Sequence, residues 1–408
     1  MPSALKSSLL PSFPAYTQAG LLFIQLTNTG NNSDAKEFKL RLRIAVAVTI
    51  IQSILFLIHL FLYETWLSLF GAPRQPWFAV LQVTFAVLSV SFVSATLLAH
   101  RFFNRPVRVF YRVASIWLGF VNFAAPAALL AWIVVAATIV FNLPFGQSGI
   151  AVFFVSLALV ATLYGLINAA RLRINRIIVK LPGLPASWRG RVAALVTDTH
   201  LGHIKGRGFL SRIVTTLRQL RADVIFISGD LFDGTYVDAS RLVSPWKQLS
   251  PKFGSYFVTG NHDEFSSESK YLDAIRNSGI HILDNETVNL DGLQVVGVPY
   301  HDSANPERFH SVLANADLDP TRASVLLSHV PHSLPIPERH GISLQLSGHT
   351  HGGQIFPFTW FTSRIFGAYT YGLKRFGDLL VYTSSGAGTW GPPLRVCTAP
   401  EIVLIQFE

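Results

Sequence analysis

Four apolar stretches, Ile44–Phe61, Trp77–Leu98, Ala114–Phe141 and Gly149–Ala169, contain no Asp, Glu, Lys or Arg. Each meets the roughly 18–20 residues a helix needs to cross a bilayer, and buried soluble helices seldom run so long without a polar break. The whole chain is 50% hydrophobic but only 14% charged, against about 25% charged in soluble domains. That deficit lies between residues 40 and 170. The pattern predicts an all-α transmembrane region over residues 36–171 with about four helices, 44–62, 77–99, 114–141 and 149–169. Pro126 is a candidate kink in the third. Residues 1–35 read as a disordered or weakly ordered tail, because Gly20–Leu26 is too short for a convincing signal sequence.

The basic residues alternate between the loops. Lys36, Lys39, Arg41 and Arg43 precede the first stretch, and only Arg74 follows it. Arg101, Arg105, Arg108 and Arg112 fill the next connection, and Asn142–Ser148 is uncharged. Arg171, Arg173, Arg176 and Lys180 close the series. Positive residues mark the cytoplasmic side, so both termini and residues 172–408 are expected there, in an integral protein of a bacterial inner membrane. Residues 1–185 hold 14 basic and 3 acidic residues, a net of +11, and residues 186–408 hold 19 and 20, a net of −1. The excess therefore belongs to the membrane half, where it suits anionic headgroups. No nucleic-acid partner is expected, since such a protein carries its basic patch on the folded domain. The single cysteine, Cys397, leaves no internal disulfide and suits a reducing compartment.

The second half carries five short signatures in order: Asp198-Thr199-His200, Gly229-Asp230-Leu231-Phe232-Asp233, Gly260-Asn261-His262-Asp263, Ser328-His329, and Gly348-His349-Thr350-His351-Gly352. Each follows a short apolar run: Val192–Val196, Val224–Ile227, Tyr256–Val258, Val325–Leu327 and Leu344–Leu346. Such runs read as buried strands. Phe209–Leu220 and Lys270–Asn277 have helical spacing between them, which points to an α/β sheet delivering side chains to one rim. Ile174–Lys180 alternates like a strand and opens this domain. Carboxylate and imidazole suit borderline divalent ions such as Mn, Fe or Zn. Two cations about 3.5–4 Å apart activate a water and neutralise a phosphoryl group together. They also repel, so an anion must stand between them, and Asp230 is the natural candidate.

These signatures resemble the calcineurin-like metallophosphoesterases, whose pattern is D-x-H, G-D-x-x-D, G-N-H-[DE], a lone His, then G-H-x-H. The resemblance covers roughly the last 235 residues. It is nearest the membrane-associated YkuE/YaeI-type subgroup, through Gly-His-Thr-His-Gly-Gly-Gln-Ile at 348–355 and the segments Pro392-Pro393-Leu394-Arg395 and Pro400-Glu401-Ile402. Thr199 departs from the apolar residue more usual there, and His332 from an acidic one. The resemblance implies a fold of two central sheets flanked by helices (α/β/β/α). It implies one ion held by Asp198, His200 and His351, a second by Asn261, His329 and His349, and Asp230 bridging them. His262 would contact the phosphoryl oxygen, with Asp263 behind it as orienting partner. The ions would be manganese first, with iron, zinc or nickel as alternatives. Asp233 is expected to bond a ligand residue or a loop amide rather than a metal. His203, His281, His301, His310 and His340 read as ordinary loop histidines, and His301 with Asp302 could also touch substrate.

The resulting expectation is a membrane-anchored phosphohydrolase that cleaves a phosphodiester or pyrophosphate bond, on a lipid, by attack of a metal-bound hydroxide. Its partners are a phosphorylated small molecule or lipid and the membrane itself. The alternatives are a phosphodiesterase for soluble nucleotides, or a regulatory metal-binding domain serving a membrane sensor or transporter. Against the last, the four stretches contain none of the charged residues that mark ion paths, and His59 is their only group titrating near neutral pH.

Overall fold

The computed structural model describes residues 33–264 and 269–408. The expected tail falls, up to residue 32, outside the described residues, as does most of the Phe265–Lys270 loop. Four helices come first: α1 (Ser33–Phe70), α2 (Trp77–Ala99), α3 (Arg105–Val140) and α4 (Gln147–Ala170). All four are long and apolar enough to cross a membrane. Helix α1 runs past its apolar stretch at both ends, through Lys, Arg, Glu and Ala before Ile44, which favour continued helix, and on to Phe70 after it; α3 extends at its N-terminal end through Arg105–Val113. Helix α3 begins where the Asn104 side chain accepts from the Val107 amide at 3.0 Å, with Pro106 in the first turn. Pro126 lies inside α3 without ending it.

Burial in this half runs opposite to a soluble bundle. Leu57, Val83, Leu129 and Val160 point outward, whereas Ala95, Ala114, Ala131 and Ala158 are buried between helices. Small residues at the contacts let helix backbones approach in lipid. His59 is buried, accepts from Trp117 Nε1 at 2.8 Å and sits 2.7 Å from the Leu55 carbonyl through Nδ1. Both ring nitrogens are thus engaged in a neutral tautomer, which gives this imidazole no free face for relaying a proton.

The second half forms two six-stranded sheets. The first has the order β1 (Arg173–Val179), β12 (Glu401–Phe407), β2 (Val192–Val196), β3 (Val224–Ser228), β4 (Ser255–Val258) and β5 (Ile280–Ile282). The second has the order β10 (Gly372–Phe376), β11 (Leu379–Thr383), β9 (Leu344–Ser347), β8 (Ser324–Ser328), β7 (Leu293–Val298) and β6 (Glu286–Leu290). Strands β2 to β5 are parallel, as are β7, β8, β9 and β11. Side chains alternate faces along a strand, and the cores follow that period. Ala193, Leu195, Phe226 and Val258 pack between the sheets with Val295, Leu327 and Leu346. The other face of the first sheet, including Ala194, Val196 and Ile225, meets helix α5 (Arg207–Leu220) through Leu210, Ile213, Val214 and Leu217. The outer face of the second, including Val296 and Leu326, meets α8 (Pro306–Ala314) through Phe309 and Leu313. The order α/β/β/α results. Shorter helices α6 (Asn261–Glu264) and α7 (Ser269–Arg276) follow β4, and α9 (Phe358–Phe366) follows β9.

The halves are joined by more than the chain. Strand β1 follows α4 directly and pairs in parallel with β12. The loop between β11 and β12 returns to the helices, and its Leu394 side chain sits against Gly119 of α3 and Gly165 of α4. The Arg395 amide donates to the Gly165 carbonyl at 3.0 Å. Asn168 Nδ2 donates to the Arg395 and Thr398 carbonyls at 2.9 and 2.7 Å. His203 also departs from the ordinary loop histidine expected of it. It is fully buried, with one ring nitrogen 3.0 Å from the Phe102 carbonyl and the other 3.1 Å from Thr235 Oγ1, so it ties the α2–α3 connection to the second half.

Candidate metal centre

Carboxyl ends of parallel strands deliver the polar side chains. Asp198 and His200 follow β2, Asp230 follows β3, Asn261 and His262 follow β4, His329 follows β8, and His349 and His351 follow β9. Five of these, Asp198, His200, Asp230, His349 and His351, have left-handed backbones, with φ between 46° and 69°. Non-glycine residues rarely adopt that region, and such strain gathers at functional sites. Gly229, at φ +83°, permits a close backbone approach. A Cβ there would lie 2.8 Å from the Gly260 backbone. Gly190 has a similar φ of +80° with nothing within 4 Å. Gly229→Ala should therefore cost about 2–4 kcal/mol through strain and overlap together, and Gly190→Ala clearly less. Thermal melts of the two purified variants check this, and equal losses would contradict it.

Three groups of side chains converge, each with ligand atoms within 4.8 Å of one another: Asp198–His200–His351, His200–Asp230–His262, and Asp230–His329–His349. Asp230 lies in the middle of the series. Its Oδ2 is 3.7 Å from His200 Nε2 and 3.2 Å from His329 Nε2, and its Oδ1 accepts the His262 amide at 2.9 Å. Asn261 joins through Oδ1, 3.0 Å from His349 Nδ1. The His349 amide donates to both Asp198 oxygens at 3.0 and 3.1 Å, and Thr197 Oγ1 adds 2.7 Å to one of them.

The electrostatics suit cations. Burial depresses the imidazoles of His200, His349 and His351, His349 to about 3, so they are neutral at pH 7 with lone pairs to donate. For His329 burial also pulls downward, but Asp230 and Asp198 overcome it and raise the ring to about 10. Burial pushes Asp230 up, yet the charged His329 ring 3.2 Å away overcomes this and holds it well below the usual carboxylate range. A buried, anionic Asp230 between two sets of nitrogen and oxygen donors fits a pair of borderline divalent ions.

Two residues have partners other than those first expected. Asp263 does not back the His262 ring. Its carboxylate accepts the amides of Asp230 at 2.7 Å, Gly260 at 2.9 Å and Phe232 at 3.0 Å, so it pins the turn that carries Asp230. The His262 ring has the Asp233 backbone as a partner and stands edge-on to His200, centroids 5.0 Å apart. Asp233 accepts from the His203 amide in the loop after β2 and from the Thr235 amide in its own loop. His301 and Asp302 fall outside the three groups. His301 lies 3.1 Å from both Glu264 and Asp302, and Asp302 also takes Asn285 at 2.6 Å.

Arg395 is the residue that sequence reasoning passed over. It is fully buried, and its guanidinium donates to the carbonyls of His351 at 2.9 Å, Ser385 at 2.7 Å and Gly388 at 2.7 Å. It also approaches His351 Nδ1 at 3.1 Å. Only the Pro-Pro-x-Arg context hinted at it.

Comparison with known proteins agrees with this geometry. The calcineurin-like phosphoesterase family profile matches residues 192–353. An uncharacterised metallophosphoesterase of Campylobacter jejuni is 32% identical over 241 residues, covering 58% of this chain and 63% of that one. A transmembrane protein with metallophosphoesterase domain from Danio rerio is 31% identical over 278 residues, covering 61% and 60%. The uncharacterised metallophosphoesterase YkuE of Bacillus subtilis is 28% identical over 241 residues, covering 56% and 83%. The chain spans 63% and 60% of the first two relatives' lengths. Behind four helices apolar enough to cross a membrane, the chain carries a calcineurin-like metallophosphoesterase domain.

Proposed function

We propose that the chain is a membrane-anchored, two-metal phosphohydrolase that cleaves a phosphodiester or pyrophosphate bond of a lipid on the cytoplasmic face. The observation that carries this reading is the series of three linked donor groups, two of which share Asp230. Asp198, His200 and His351 would hold one ion, and Asn261, His329 and His349 the other, with Asp230 shared. Manganese is our first choice for the pair. When bound, the ions supply an activated water and neutralise charge on the phosphoryl group. His262, neutral because burial lowers its pKa, is placed to donate a hydrogen bond to a phosphoryl oxygen or to the leaving oxygen. Asp263 keeps Asp230 and the Gly260 turn in register. Orientation is supported by the Arg-rich helix ends lying beside the catalytic domain, where Arg112 donates to the Ile204 carbonyl.

The test is chelation of detergent-purified protein, then manganese titration with bound metal and aryl phosphodiester hydrolysis followed together. Two ions per chain, with activity returning alongside the second, is expected. One ion, or hydrolysis indifferent to chelation, overturns the two-metal reading. A lipid diester, a lipid pyrophosphate and a cyclic nucleotide then separate the lipid substrate from a soluble nucleotide.

A further inference from the structure

Helix α9 is inside out. Its more sheltered positions are Thr359, Thr362 and Phe366, while Phe358, Trp360, Phe361 and Ile365 are exposed. Among the described residues beyond Leu172, nine large hydrophobic side chains are exposed, and five of them lie between Phe356 and Ile365. A helix with this face is unstable against water unless something apolar meets it.

Helix length gives the level at which that face sits. The Phe356 carbonyl accepts from Asn122 Nδ2 on α3 at 3.0 Å. Asn122 lies 18 residues before the end of α3 at Val140, which is about 27 Å of helix. On α4, the Gly165 carbonyl that binds Arg395 lies 18 residues after Gln147, again about 27 Å. These ends are joined by the short connection at 141–146. The hydrocarbon core of a bilayer is about 30 Å thick. Both contacts therefore fall where the helices leave the lipid, and α9 lies at the headgroup layer. An aromatic face with one cation, Arg364, stacked over Trp360 at 5.0 Å, is the composition of an interfacial helix.

The sheltered end of the same helix borders the candidate metal centre. Phe366, at the end of α9, has its ring 6.0 Å from His349, and the exposed Trp390 has its ring 5.7 Å from His262. We infer that α9 and Trp390 form a rim seated in the bilayer interface, through which a phospholipid headgroup reaches the metal centre without leaving the membrane. This rests on the membrane-anchored reading above and names the surface that would make a lipid its substrate.

The experiment uses full-length protein in phospholipid nanodiscs. In a Cys397→Ser background, nitroxide labels are placed at Phe361→Cys or Ile365→Cys, with Leu157→Cys on α4 as lipid reference. Collisions with oxygen that exceed those with a water-soluble nickel chelate, in a ratio between that of the mid-bilayer reference and that of a loop in water, are expected. Dominant nickel collisions would mean a face in water. Low collisions with both would mean a face covered by protein. Either overturns the inference. This readout needs no catalysis, so a protein inert toward every phosphoester would remove the enzymatic reading and leave the placement standing. In active protein, the double variant Phe361→Asp/Ile365→Asp should lower the ratio of lipid to soluble diester hydrolysis about tenfold or more. An unchanged ratio overturns the access role.

Discussion

Asp230→Asn is expected to lower metal-dependent hydrolysis by about a thousandfold, comparable to the loss of a main transition-state stabiliser, while the protein stays folded. Asparagine keeps the side chain's volume and one carbonyl oxygen, so the His262 amide retains its acceptor. What disappears is the negative charge within 3.7 Å of His200 and 3.2 Å of His329. Two cations brought together there then repel with nothing between them. Metal analysis should show one ion lost or both weakened, in a variant whose circular dichroism spectrum is still that of the folded parent. A variant that binds two ions and hydrolyses at the parental rate would remove Asp230 from the centre of the mechanism.

The second large effect is assigned to Arg395. Arg395→Ala should destabilise the protein by about 3–5 kcal/mol, since each buried carbonyl left without a donor costs about 1–3 kcal/mol. Three carbonyls would lose their donor, and the loop wedged against Gly119 and Gly165 would lose its anchor. Because that variant can fail to fold, Arg395→Lys is the sharper probe. Lysine keeps the charge but cannot reproduce the planar fork that reaches His351, Ser385 and Gly388 together. Metal affinity is expected to fall about 10–100-fold, the usual penalty for disturbing a ligand's support. Titration of metal into the folded Lys variant decides the point, and parental affinity would make Arg395 a packing residue only.

Much of this molecule is legible in the sequence because its chemistry sits at strand ends. A buried parallel strand announces itself as a short apolar run, and the turn after it carries glycine beside a polar side chain. That is why Val192–Val196 and Leu344–Leu346 locate β2 and β9, and why the groups around Asp230 assemble from positions the motifs single out. The apolar stretches likewise locate α1 to α4. They understate α1 and α3, because hydropathy ends where the basic residues begin and the helix does not. Other features leave no local trace. Arg395 meets His351 only because the β11–β12 loop is held between α3 and α4. Asp263 turns to backbone amides rather than to the neighbouring imidazole because three N–H groups converge on it across the β3 and β4 turns. The inside-out character of α9 emerges only once its Thr positions are seen to be the sheltered ones, since aromatic spacing alone reads as an ordinary buried helix.

The position of β12 has a consequence for biosynthesis. It lies between β1 and β2, so the first sheet cannot be completed until residues 401–407 have left the ribosome, long after α1 to α4 have been made. Until then β1 has no neighbour, β2 presents an open edge, and the cleft that receives Leu394 stands empty. Long-range pairings of this kind form slowly and leave unpaired strands exposed to wrong partners. Attachment of the nascent chain to the bilayer would limit that hazard, because neighbouring copies could approach the open edge only by diffusion in the membrane plane.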